Sequence, residues 1–116
     1  MGYLEVHVTV PDQDADRLAT TLVHERLAAC AQVLHGLRSI YVWEGDIESA
    51  AEALLLLKTR DDLFDTLVAR VTELHPYDVP EVIAVPITRL SPAYAGWLAQ
   101  TLGPPLAADP VTPPCP

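Results

Sequence analysis

Four consecutive leucines, Leu54 to Leu57, lie inside the segment Glu52 to Thr59. That segment has the character of a β-strand, and successive side chains of a strand point to opposite faces of the sheet. The leucine run therefore makes both faces of one strand apolar, and a strand apolar on both sides needs cover on both sides. No other feature constrains the architecture as much.

The rest of the chain supplies the cover only in part. Leu4, Val6, Val8 and Val10 alternate with Tyr3, Glu5, His7 and Thr9, the period of a first strand. Pro11 stops it, and Asp12 is placed to N-cap a helix running to about Ala28, with Ala15, Leu18, Ala19, Leu22 and Val23 on one face. An extended pattern returns from Ala31 to Trp43, and Glu44-Gly45-Asp46 forms a turn into the leucine strand. The two strands make a hairpin, with bulges expected near Leu34 to Leu37 and around Ser49 to Ala51. Asp61 or Asp62 can cap a second helix, whose apolar face is Leu63, Phe64, Leu67, Val68, Val71 and Leu74. His75-Pro76-Tyr77-Asp78-Val79-Pro80 is a stiff connection, since each proline restricts the residue before it. Val82 to Thr88 is the last strand, marked by Pro86 as an edge or bulged one, and Ser91-Pro92 opens a third helix that Gly103 stops.

The order β-α-β-β-α-β plus a terminal helix is an α+β, ferredoxin-like arrangement, with both main helices on one face of an antiparallel sheet. The folded body is expected over residues 1–102. Residues 103–116 hold six of the eleven prolines and are expected to form a polyproline-like or disordered tail. One face of the leucine strand then lacks a cover, and another subunit's sheet is the simplest remedy. A homo-oligomer is the expectation.

Seven basic against sixteen acidic residues give a formal charge of −9. Nucleic acid is excluded as a partner, because phosphate binding needs clustered Lys and Arg, and Lys58 is the only lysine. No apolar stretch approaches the roughly 20 residues that span a bilayer, and the N-terminus lacks the pattern of a signal peptide. Two cysteines, Cys30 and Cys115, make no disulfide framework. A soluble, cytoplasmic protein without a membrane partner is expected. It is also not expected to be an enzyme: there is no phosphate-cradling glycine loop, no Gly-x-Ser-x-Gly and no His-Glu-x-x-His.

Several ordered motifs are similar to those of the CutA family, the divalent-cation tolerance proteins. They are Val8-Thr9-Val10-Pro11, Glu25-Arg26-Leu27-Ala28-Ala29-Cys30, Ser39-Ile40-Tyr41-Val42-Trp43-Glu44-Gly45 and Leu57-Lys58-Thr59. His75-Pro76-Tyr77-Asp78-Val79-Pro80-Glu81 is the most specific, followed by Pro86-Ile87 and the Tyr94 to Trp97 pair. The resemblance implies a homotrimer joined edge to edge, an architecture similar to the PII signalling proteins, and an association with copper tolerance and divalent-metal binding. It implies no defined reaction. Gln32 stands where Asn is usual, Val42 for a frequent Trp and Asp46 for a frequent Lys. The last two remove an aromatic face and reverse a charge at the hairpin tip.

Cys30 and His75 are the candidate metal contacts. A thiolate suits Cu(I) or Zn, and an imidazole suits Cu(II) or Zn. The bland alternatives are a small packed hydrophobe for Cys30 and a helix-end brace for His75. Without Cys-x-x-Cys or His-x-His, a shared or weak site is what one subunit can offer, and no cofactor is obligatory. Lys58, ending the leucine run, needs a carboxylate partner if buried, with Glu81, Glu52 and Glu44 as candidates. The alternative function is a PII-like signalling module, in which an inter-subunit cleft with Lys58, Tyr77, Glu81, Trp43 and Glu44 takes a small anionic effector.

Overall fold

A computed structural model describes residues 2–104. The expected proline-rich tail, from residue 105 onward, lies outside the described residues. The first strand, β1 (Tyr3–Pro11), turns every second side chain inward, and Val6, Val8 and Val10 are fully buried. It is followed by α1 (Asp12–His24), β2 (Cys30–Trp43), β3 (Asp46–Arg60), a 3-10 turn (Asp61–Leu63), α2 (Phe64–Leu74), β4 (Val82–Ile87) and α3 (Pro92–Leu102). The strands form one antiparallel sheet in the order β2-β3-β1-β4. This is the expected α+β, ferredoxin-like topology.

The core lies between the sheet and the helices α1 and α2. Ala53, Leu55 and Leu57 of β3 join the three valines of β1 against Ala15, Leu18 and Leu22 of α1 and Leu67 and Val71 of α2. Half of the leucine run is thereby covered. Leu54 and Leu56 point to the opposite face and are only half-buried; Ile83 at 50% and Val85 at 45% exposure lie on the same face of the edge strand β4, with His7 and Glu5 of β1 between.

Three local expectations change. The first helix ends at His24, before Ala28, because Arg26 adopts φ 60°. Its N–H bonds to the carbonyl of Val23 and that of Leu27 to the carbonyl of Leu22, the paired bonds of a Schellman stop. The side chains expected to cap helices do not: Pro11 precedes α1, and Asp12 instead meets His35 Nδ1 at 3.0 Å. Asp62 accepts from Arg60 Nε at 2.6 Å, and neither Asp61 nor Asp62 caps by side chain. Ser91 does cap α3, its Oγ accepting from Tyr94 N.

The hairpin is longer than its sequence pattern. β3 begins at Asp46 rather than Glu52, and the pairing Trp43↔Asp46, Val42↔Ile47, Tyr41↔Glu48 holds a stretch whose own strand propensity is poor. The register slips between Leu34 and Leu37, as expected, but runs unbroken through Ser39↔Ala50 and Arg38↔Ala51, so the second bulge is absent. The turn is two residues, Glu44 at φ 51° and Gly45 at φ 85°, both left-handed as a tight type I′ hairpin requires.

Candidate functional site

The chemistry-bearing side chains fall into three places rather than one. The first is the start of β2. Cys30 pairs in register with Lys58, and the Ala29 N–H donates to the Lys58 carbonyl at 2.8 Å. The Cys30 thiol is free and half-buried, with Sγ 3.7 Å from the Tyr94 hydroxyl of α3. The phenol of Tyr94 is pushed up to about 12, by desolvation first and by the Cys30 contact second. Trp97 stacks on Tyr94 with ring centres 5.5 Å apart.

The second is the sheet face away from the helices. Lys58 Nζ donates to Gln32 Oε1 at 2.9 Å and stands 3.7 Å from Glu5 Oε1. None of the three carboxylates expected to pair with it does so. The register Glu5↔Lys58 between β1 and β3 decides the partner, and strand order is not visible from local sequence. Glu5 also meets His7 Nε2 at 2.8 Å. That hydrogen bond, with help from the Lys58 charge, holds the Glu5 carboxyl below the usual carboxylate range.

The third is a groove of about 580 Å³ between the outer half of the hairpin and residues 75–81. Of the residues expected to share a cleft, Trp43, Tyr77 and Glu81 line it, whereas Lys58 and Glu44 do not. Two further acids complete the wall, Glu52 and Asp78. Glu52 is only 5% exposed, and its Oε2 accepts a 2.9 Å hydrogen bond from the Tyr77 hydroxyl. The Tyr77 phenol is pushed up to about 12, by desolvation first and by Glu52 second. The sequence did not place Glu52 with Tyr77 and Glu81. The available signal was a lone charge among Ala50, Ala51 and Ala53, which calls for a polar neighbour.

His75 braces this groove. At 7% exposure its Nε2–H donates to the Thr9 carbonyl at 2.7 Å, and its Nδ1 accepts the Tyr77 N–H at 3.1 Å. Both ring nitrogens are engaged, so a metal on Nδ1 has to displace the Tyr77 N–H. Cys30 and His75 are also far apart. Cys30 lies level with Glu5 through Lys58, whereas His75 binds Thr9, four residues farther along β1, a rise of about 13 Å. Among the described residues no group of three or more His, Cys, Asp or Glu side chains is placed to hold a metal ion. The described residues of one chain do not make a closed metal site.

Comparison with known proteins bears on the whole folded body. Residues 4–101 match the family model described as CutA1 divalent ion tolerance protein. The chain is 49% identical over 97 residues to the chloroplastic protein CutA of Arabidopsis thaliana, covering 83% of this chain and 53% of that one. It is 46% identical over 99 residues to the divalent-cation tolerance protein CutA of Thermus thermophilus, covering 84% of this chain and 96% of the relative. The chain thus spans about half the length of the plant relatives, at 53% and 55%, and nearly all of the Thermus one. The crystal structure of CutA1 from Oryza sativa superposes with a TM-score of 0.85 at 43% identity, over 87% of this chain and 94% of that one. The Thermus thermophilus structure gives 0.84 at 44% identity, over 87% and 99%. From matched motifs, matched topology and matched length of the folded body, the chain belongs to the CutA1 divalent ion tolerance protein family.

Proposed function

We propose that the chain works as a homotrimer that binds divalent metal ions, copper foremost, in the response to metals, as a binding protein rather than an enzyme. The observation that carries this reading is Cys30: a free, half-buried thiol whose one polar side-chain partner among the described residues is a hydroxyl 3.7 Å away. A thiol so weakly engaged is available to a metal that takes sulfur ligands, zinc or copper. One soft donor does not close a site, so the remaining donors come from where chains meet.

Two features support the assembly. Leu54 and Leu56 on β3 and Ile83 and Val85 on β4 are incompletely covered on the face opposite the helices, on either side of Glu5, His7 and Thr9 of β1, and among the described residues β2 and β4 are unpaired on their outer edges. Three copies joined β2 to β4 would pair those edges and cover that face. The family name supports the metal reading, and the Thermus relative is itself called a divalent-cation tolerance protein. The anionic-effector alternative is less favoured, because Lys58 is already engaged by Gln32 and Glu5 and the groove wall is acidic.

The test is chelator competition with copper and zinc on the full chain, in a Cys115→Ser background that leaves Cys30 as the one thiol. Cys30→Ala should abolish copper binding, while His75→Ala should weaken it only through the loss of loop order. Unchanged copper affinity in Cys30→Ala removes the assignment, and a monomeric mass by light scattering at micromolar concentration removes the trimer.

A further inference from the structure

Tyr94 reaches Cys30 from a helix that is fixed at both ends. Its backbone N–H donates to Ser91 Oγ at the N-cap, and past the last turn Arg60 donates to the carbonyls of Gly103 at 2.8 Å and Pro104 at 3.2 Å. Arg60 is itself nearly buried and held by Asp62. Between those ends Leu98 and Leu102 pack with Ala29, the residue before Cys30, whose N–H is tied to the Lys58 carbonyl at 2.8 Å. The Trp97 ring, 5.5 Å away centre to centre and within 28° of parallel, steadies the Tyr94 ring. Hydroxyl and sulfur are thus set 3.7 Å apart by two segments of one chain, whichever surfaces join the copies.

What the hydroxyl does there follows from the chemistry of sulfur. A thiol is a weak acceptor, and either atom of the pair can donate while the sulfur keeps its proton. Metal binding takes a thiolate and releases the thiol proton to solvent. A phenol holds its own proton at neutral pH, so in that state Tyr94 is the donor and the charged sulfur the acceptor. Such charge-assisted bonds are roughly twice as strong as neutral ones. No other side chain among the described residues hydrogen-bonds to this sulfur. We propose that Tyr94 is the positioning residue of the Cys30 metal contact, its O–H donating to the thiolate and holding it in one orientation towards the ion. This role depends on Cys30 being a metal contact, and it adds a donor that touches the sulfur and not the metal. Partners of that kind typically set metal affinity by about 10–100-fold.

Titration of the full chain with cobalt(II), a coloured stand-in for zinc, reads the sulfur directly through its thiolate-to-metal absorption, in the Cys115→Ser background. A hydrogen bond to sulfur lowers the energy of its filled orbitals, so losing that bond moves the band to longer wavelength. Tyr94 is 37% exposed, and Tyr94→Phe keeps the stack on Trp97 while removing only the hydroxyl. It should move the band to longer wavelength and weaken cobalt binding about tenfold. A tyrosine that merely packed would leave the band where it is. An unmoved band in Tyr94→Phe therefore overturns the role, whatever the affinity. So does the ultraviolet signature of tyrosinate on adding metal, which would make Tyr94 a ligand. Absence of any band that Cys30→Ala removes overturns the metal reading as well, so the two failures are told apart.

Discussion

The hydroxyl of Tyr77 donates to Glu52 Oε2 across 2.9 Å, so a single bond ties the proline-flanked loop after α2 to the middle of the longest strand. Tyr77→Phe removes that donor and leaves a nearly buried carboxylate oxygen unpaired, which costs about 1–3 kcal/mol. Urea unfolding at fixed chain concentration measures the loss. An unchanged midpoint would show that the bond does not hold the loop.

The same phenol makes the alkaline limb of stability predictable. The Tyr77 pKa in the fold is about 12, against an ordinary value near 10. A raised folded-state value means that the native state keeps its proton longer. Stability from this group is therefore complete below about pH 10 and lost between pH 10 and 12. Phenolate absorbance should show a late component near pH 12, reduced in Tyr77→Phe, with Tyr94 supplying the remainder.

Acid acts through Glu5, whose carboxyl is held low by His7 first and Lys58 after it. A lowered folded-state pKa contributes stability above the unfolded value, and that contribution is lost as pH falls through the folded one. Glu5→Gln should flatten the melting-temperature profile below about pH 5. A profile as steep as that of the unsubstituted chain would assign the acid limb to other carboxylates.

At the hairpin tip, Gly45 holds φ 85°. Alanine there should cost about 1–2 kcal/mol, because its Cβ crowds the following carbonyl in a left-handed conformation. Gly45→Asn should cost less, since asparagine visits that region more readily. Thermal melts of the two variants provide the comparison, and equal losses would mean that the turn has relaxed to another type.

Adjacent leucines should behave differently. Leu57→Ala opens a cavity under the helices and should cost about 2–5 kcal/mol, read by denaturant unfolding. Leu56→Glu, on the opposite face, should leave the circular dichroism of the subunit intact and lower the mass seen by light scattering. An unaltered mass would show that another surface joins the copies.

Much of the fold was legible because it rests on local period. Alternation in Tyr3–Pro11, the helical stripes of α1 and α2 and the caps at Ser91 and Gly103 are each set by residues a few positions apart, and packing agreed with all of them. The hairpin was read too short, because Asp46 to Ala51 has little strand character and is extended only through its cross-strand partners. The groove was half legible. The motif Tyr77 to Glu81 pointed to it, but its acid Glu52 lies far away in sequence, and within one chain Lys58 lies outside it.

By itself, then, the sequence determined the order of elements, the two-sided apolar strand and the inventory of donors, since backbone sterics and side-chain period act within a few residues. Only the tertiary structure decided which charges meet. Strand order and register put Glu5 rather than Glu81 beside Lys58, seated Tyr77 on Glu52, engaged both nitrogens of His75, and set Cys30 apart from it. Such pairings depend on distances of a few ångströms between segments remote in the chain, and no local preference encodes them.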